Sequence, residues 1–281
     1  MPHRKCNRGA DALNLARPLI RWTIGDVSTY GFEALRLSTW GATRIFGDAA
    51  DYVITVNSIT SAEAQLRTGD VPQTVGWIEC SASSVPKFIK QRLDDSMSEG
   101  TAWKFAMPRL APDRFEIALD NDVVLWEVPG PMESWLADAA QSRCLVAEDV
   151  VAMFGKFAPQ CGSRAINGGI RGFPPGFDYE AALREVLMQN AALIQTEIDE
   201  QGLQAAAMML PGVPDFVTLQ DVTICSPWPP HLPYLGRCGA HFVGLNGSAL
   251  SWEEDGRNAI EQTREKWRTM RAQIEAKIRS R

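Results

Sequence analysis

The stretch Phe115-Glu116-Ile117-Ala118-Leu119-Asp120-Asn121-Asp122-Val123-Val124-Leu125-Trp126 decides how the chain is read. Two apolar runs flank an acidic tripeptide, and their aliphatic and β-branched content predicts two buried strands, 115–119 and 123–126. Asp and Asn suit a tight turn, so the tripeptide reads first as the connection between those strands. Carboxylates set between buried strands are nevertheless costly without a partner. A divalent cation is such a partner, because hard ions such as Mn²⁺ or Mg²⁺ take carboxylate oxygens.

Working outward, Leu19–Ile24 reads as a first strand closed by Gly25-Asp26, followed by a helix over 31–46. Residues 52–56 and 75–80 are further strands, and 86–93 and 100–110 are expected helices. Short extended segments fall at 145–146 and 166–170. Helical periodicity then runs from 177 to 209, expected as two helices broken near 199–202. Late strands at 216–219 and 241–243 enclose the proline-rich loop 226–233. Strands alternating with helices predict an α/β fold, a mainly parallel twisted sheet flanked by helices, with ligands bound at the carboxyl ends of its strands. We divide the chain into an irregular lead-in (1–18), a single domain (19–251) and a C-terminal amphipathic helix (252–281). In that helix Ile260, Trp267 and Ile274 recur every seven residues, with Met270 and Ile278 on the same stripe. Its outer face carries Arg264, Lys266, Arg268, Arg271 and further cations up to Arg281. Packing on the domain is one reading of it. Peripheral contact with an anionic membrane surface, or with a partner, is the other.

Composition narrows the function classes. The chain has 281 residues, 45% of them hydrophobic, and a net charge of −6. That balance argues against a nucleic-acid partner, since phosphate backbones demand a basic surface. No apolar run approaches the roughly 20 residues of a transmembrane span, and no apolar run follows the charged first residues as in a secretory signal. A cytoplasmic protein is therefore expected. Six scattered cysteines without a CxxC pair read as free thiols.

Several segments together resemble the metal-dependent GT-A glycosyltransferases, especially the glycogenin-like retaining family (glycosyltransferase family 8). They are Trp103-Lys104, the stretch around Asp120-Asn121-Asp122, Ile166-Asn167-Gly168-Gly169-Ile170, Asp199-Glu200-Gln201-Gly202-Leu203 and His241-Phe242-Val243-Gly244. The resemblance spans roughly residues 100–245. It implies transfer of a sugar from a nucleoside diphosphate sugar, a UDP-sugar being the expected donor, to an unknown acceptor. It implies that Asp120, Asp122 and His241 hold Mn²⁺ or Mg²⁺, which would neutralise the charge of the departing diphosphate. Lys104 is then expected near the diphosphate or donor sugar, Asn121 within the metal turn, and Asn167, Gly168 and Gly169 near sugar hydroxyls. The resemblance places Asp199, Glu200 and Gln201 at the reacting face. The end of the first strand, Thr23, Gly25 and Asp26, is where such folds cradle the nucleotide base, although Asp26 also suits a helix N-cap.

One departure stands out. The family carries a Lys-Pro-Trp shortly after its metal-binding histidine, whereas here Gly244 leads into Leu245-Asn246-Gly247-Ser248. Phosphate binding is then expected from backbone amides of this loop or from Arg237. A sugar nucleotidyltransferase is the enzyme alternative, disfavoured because residues 25–31 hold no basic residue. A non-catalytic relative that binds a nucleotide sugar or a protein is the other.

Overall fold

A computed structural model of the chain describes residues 17–93, 103–225, 234–246, 253–254 and 256–280. The expected lead-in up to residue 16, the loop 226–233 and the turn residues 247–250 lie outside the described residues, as does the start of the helix expected over 100–110.

Strands β1 (Leu19–Ile24), β2 (Asp51–Val56), β3 (Val75–Glu79), β4 (Glu116–Leu119), β6 (Leu145–Glu148), β7 (Ile166–Phe173) and β8 (Asp215–Val217) form one sheet, ordered β3-β2-β1-β4-β7-β6-β8. All neighbours are parallel except β7, which runs antiparallel to both β4 and β6. The sheet is thus mainly parallel, as its near-continuous apolar strands require. The single reversed strand matters. It brings its first residues, rather than its last, to the edge where the carboxyl ends of β1, β2 and β4 lie.

A second sheet is built from three short strands, β5 (Val123–Leu125), β9 (Val222–Ile224) and β10 (Gly239–His241), in the order β5-β10-β9. The chain passes from the large sheet to the small one between β4 and β5, through Asp120-Asn121-Asp122. The amide of Val123 donates to the Asp120 carbonyl at 3.0 Å and closes the turn. Turn and functional motif are therefore one and the same feature.

Helix α1 (Thr29–Phe46) starts at Ser28, whose hydroxyl accepts from the Gly31 amide and donates to the Leu245 carbonyl. One cap thus ties the helix start to the turn after β10. The helix packs Phe32 and Leu35 into the main core with Trp22, Ile54 and Leu119. Two predicted helices shrink. After α2 (Ser61–Thr68), residues 86–93 hold only a single turn, α3 (Lys87–Lys90). Among the described residues of 100–110 only the 3₁₀ turn Trp103–Phe105 forms. There the backbone is captured instead by Arg21, which donates to the carbonyls of Met107 and Pro108. Helix α4 (Gly130–Ala137) and strand β9 were not anticipated.

The helical region 177–209 splits into α5 (Tyr179–Gln189) and α6 (Glu197–Met209). The break falls at 190–196, not at 199–202, because Thr196 caps α6 by accepting from the Asp199 amide at 3.1 Å. Gly202 sits inside α6, facing the backbone of Phe154 so closely that a Cβ would collide with it.

The C-terminal helix, α7 (Ala259–Arg279), buries Ile260, Trp267, Ile274 and Ile278. Trp267 meets Phe242 edge-on at 4.9 Å and donates to Glu33 of α1. Its apolar stripe is spent on the domain, and Arg264, Arg271 and Arg279 pair with glutamates. Among the described residues no helix is long and apolar enough to cross a membrane.

Candidate active site

Asp120, Asp122, His241, Lys104 and Glu200 meet at the carboxyl edge of β4, for identifiable backbone reasons. Antiparallel β7 pairs Leu119 with Ile170, and the Asp120 amide donates to the Gly169 carbonyl at 2.9 Å. The β6–β7 register shifts here: Val146 faces Arg171 while Ala147 faces Asn167, so 168–170 have no partner on β6. Such bulges re-aim side chains beside sites. In the small sheet His241 pairs with Val123, and the amide following it donates to the Asp122 carbonyl at 3.0 Å. The histidine is thereby delivered to the turn.

Each of Asp120, Asp122 and His241 offers one ligand atom, and these atoms lie within 4.8 Å of one another. His241 Nε2 is 3.2 Å from Asp122 Oδ1, which is buried and has no hydrogen-bond donor. Asp122 Oδ2 accepts from Asn246 Nδ2 at 3.3 Å. The imidazole abuts Gly169, where a Cβ would stand 2.5 Å from the ring; only glycine lets the ring and the strand approach this closely. Two carboxylates, an imidazole and an orphaned buried carboxylate oxygen fit a divalent cation such as Mn²⁺ or Mg²⁺. Burial alone would push the His241 pKa down, but Asp122 and then Asp120 outweigh it and raise it.

Asn121 turns away from the carboxylates. Its side chain exchanges two 2.8 Å hydrogen bonds with Asn246 and donates to the Gly31 carbonyl. Gly244, at φ 88°, opens the turn that carries Asn246. This turn stands where the lysine motif of the resembling family is missing. Arg237 precedes β10, at the end of the strand opposite His241, and is bound to Asp221.

The other flank is ionic. Lys104 Nζ donates to Asp120 Oδ2 at 2.9 Å and lies 3.8 Å from Glu200 Oε2. Burial alone would lower the Lys104 pKa, yet Asp120 and Glu200 raise it. Burial opposes ionisation of Asp120 as well, but Lys104, Arg171 and His241 hold its pKa below the usual carboxylate value. Glu200 behaves the other way: burial dominates over Lys104 and Arg171 and pushes it up to about 7.

The three residues at the start of α6 separate in space. Asp199 accepts from the amides of Lys156 and Gln195, which anchors the loop before the helix. Gln201 accepts from the Gly168 amide and donates to the Met153 carbonyl. Glu200 alone points at Lys104. Asn167 accepts from the Gly169 amide and donates to Asp149. Thr23, Gly25 and Asp26 lie together at the ends of β1 and β2. The Thr23 hydroxyl is 2.9 Å from that of Thr55, Gly25 backs onto Asn57, and Asp26 pairs with Arg67 at 2.7 Å.

Sequence reading missed four residues of this cluster: Arg171, Gln204, Tyr179 and Asn246. Arg171 Nη2 is 3.3 Å from Asp120 Oδ1, and its Nη1 donates to Gln204 Oε1 at 2.5 Å. The Tyr179 hydroxyl donates to the same oxygen at 3.0 Å. A signal existed for two of them. Arg171 is a charge inside the apolar run 170–173, and Gln204 stands one helical turn after Glu200, hence on the same face.

No protein-family model matches the chain, and no curated protein matches it in sequence. Solved structures do. An active-site Gln→Glu variant of LgtC superimposes with a TM-score of 0.54 at 13% identity, covering 89% of this chain and 95% of that one. The galactosyltransferase LgtC in complex with donor and acceptor sugar analogues gives 0.53 at 14% identity with the same coverage. At such identity the likeness establishes architecture: the chain has the GT-A glycosyltransferase fold.

Proposed function

We propose that this chain is a metal-dependent glycosyltransferase that moves a sugar from a nucleoside diphosphate sugar, a UDP-sugar first, to an acceptor. The observation that supports it best is the meeting of Asp120, Asp122 and His241 at the carboxyl edge of a GT-A sheet, with Lys104 and Glu200 beside them. A bound Mn²⁺ or Mg²⁺ would supply a Lewis acid that neutralises the diphosphate as its bond to the sugar breaks. Asp120, Asp122 and His241 are the residues to hold that ion. Lys104, whose side chain is 24% exposed, is the cation that an incoming diphosphate reaches. Asn167, Gly168 and Gly169 are assigned to the sugar, and Thr23 and Gly25 to the nucleoside end, beside Asp26, which is already paired with Arg67. The turn at Gly244 is assigned to the phosphates in place of the absent lysine. Glu200 is the carboxyl group assigned to the reacting face, while Asp199 and Gln201 fix the start of α6 around it. Retention of anomeric configuration comes with the family resemblance.

Purified protein with Mn²⁺ and a panel of UDP-, GDP- and ADP-sugars tests this by nucleoside diphosphate release. Release from one donor, abolished by chelator and by Asp122→Ala or His241→Ala, is the expected result. Metal-dependent thermal stabilisation by a nucleotide sugar without any product would make the chain a binding protein. No release and no metal-dependent stabilisation would remove the metal site altogether. Proton NMR of the first product reads retention or inversion.

A further inference from the structure

Asp120 is neutralised twice, and from opposite sides. Lys104, partly exposed between buried Trp103 and Phe105, reaches Oδ2, whereas Arg171 reaches Oδ1 from the interior of β7, with 5% of its side chain exposed. The strand register, Arg171 against Ala118 and Val146, fixes the arginine beneath the turn. Its other contact, Gln204 Oε1, is uncharged and is shared with Tyr179. Arg171 Nε, Gln204 Nε2 and Glu200 Oε1 are all buried without a hydrogen-bond partner. A buried cation held this loosely is poor economy for stability, since an apolar side chain of similar volume packs at least as well. Its charge therefore calls for another account.

The account lies in the charge balance of the site. Asp120, Asp122 and Glu200 contribute three carboxyl groups when ionised, and Lys104 and Arg171 contribute two cations. Without Arg171 the cluster would be one unit more negative, which attracts a bare cation more strongly and repels a diphosphate more strongly. The low dielectric around a buried charge makes this felt over several ångströms.

We propose that Arg171 is a positioning residue which holds Asp120 from beneath the sheet edge and balances the site, so that a metal ion binds together with a diphosphate rather than alone. The proposal rests on the metal-and-diphosphate reading above. Coupling of this kind is reciprocal: each ligand raises the affinity of the other.

The test titrates the full chain calorimetrically at pH 8 with MnCl₂ alone, then with UDP, GDP and ADP at saturating Mn²⁺. Arg171→Met is expected to bind MnCl₂ at least fivefold more tightly and the preferred nucleoside diphosphate at least fivefold more weakly. Arg171→Lys is expected to stay within twofold of the original chain on both. Opposite shifts in the two affinities are a signature that a merely structural arginine does not give. Should Arg171→Met fail to fold by circular dichroism, Arg171→Gln removes the charge while keeping a donor for Gln204, and the same pair of affinities is read. Affinities that fall together in a folded variant, or do not move, overturn the proposal alone. An original chain that binds neither MnCl₂ nor any of the three diphosphates overturns the proposal and the reading of the site together.

Discussion

The two carboxylates of Asp120-Asn121-Asp122 stand two residues apart, yet their surroundings are of opposite kinds. Around Asp122 the partners are amides, an imidazole and backbone: Asn246 on Oδ2, His241 beside Oδ1, and the Asn121–Asn246 exchange behind them. These come from α1, β10 and the turn after it. Around Asp120 the partners are charged, Lys104 and Arg171, with Glu200 one step beyond. These come from β7, α6 and the 103–105 turn. The Asp122 side is thus oriented by neutral hydrogen bonds and keeps one oxygen without a donor, while the Asp120 side is a charge cluster with three orphaned polar atoms. Both are proposed to hold the ion, but only Asp122 keeps an oxygen without a donor while Asp120 is the hub of the charges, so perturbing the two sides should give different signatures.

The largest effect belongs to the ligand side. Asp122→Ala should lower metal-dependent nucleoside diphosphate release by a factor on the order of 10³, the scale of losing a pre-organised electrostatic group. It should leave far-UV circular dichroism unchanged. A variant with more than a tenth of the original rate would break the comparison at its centre.

Glu200 tests the hub. Its folded pKa of about 7 lies above the ordinary carboxyl value of 4.5, so the folded state holds the proton more tightly than the unfolded chain. Stability contributed by this group is therefore full below pH 4.5, declines as pH rises toward 7, and is flat above. The shift corresponds to about 3 kcal/mol over that window. His241, raised above its usual value, loses its contribution in the same direction as pH rises. Urea unfolding of the original chain and of Glu200→Gln, both in chelator, separates the two: the difference between them should carry the Glu200 slope. Parallel profiles would mean that Lys104 and Arg171 keep Glu200 ionised throughout.

Asn246 is subtler. It touches Asp122 and Asn121 but lies outside the proposed ligand set, so Asn246→Ala should weaken Mn²⁺ binding about tenfold, as removal of groups that orient metal ligands does. An unchanged Mn²⁺ titration would show that the turn after β10 orients Asp122 through its backbone alone.

These residues also mark what a sequence discloses. The strands β1, β2 and β4 were legible because strands buried on both faces leave unbroken apolar runs. Asp120 and Asp122 stand out because charge between two such runs demands a reason, whereas His241 comes from the family resemblance alone. Arg171 is the same kind of anomaly, overshadowed in sequence by Asn167-Gly168-Gly169 on the same strand. Asn246 was not legible at all. Its role arises from a contact across more than 120 positions, which no local pattern carries. The helix expected over 100–110 fails in its described part because Met107 stands at φ 51° before Pro108, in a backbone whose two carbonyls are held by Arg21 from β1. Periodicity sees neighbours along the chain, and the role of Asn246 was decided by neighbours across it.

The smallest effect is expected at the nucleoside end, and it sharpens the contrast from outside. Asp26 suits a helix N-cap or an acceptor for base or ribose in sequence; the cap of α1 is Ser28, and the Asp26 carboxylate is 65% exposed and already paired with Arg67. Arg67 in turn donates to the Val27 carbonyl and lies over the Phe32 ring at 4.2 Å. An exposed pair of this kind contributes about 1 kcal/mol or less. Asp26→Asn should therefore shift nucleoside diphosphate affinity by less than threefold. A tenfold loss would mean that the nucleotide takes Asp26 from Arg67 on binding. With the smaller shift, base contact falls instead to the backbone at Gly25 and to Asn57 behind it, whose buried Nδ2 has no partner. The nucleoside end would then follow the rule seen at Asp122: the groups with hydrogen-bonding capacity to spare, rather than those already satisfied, are the ones left for a ligand.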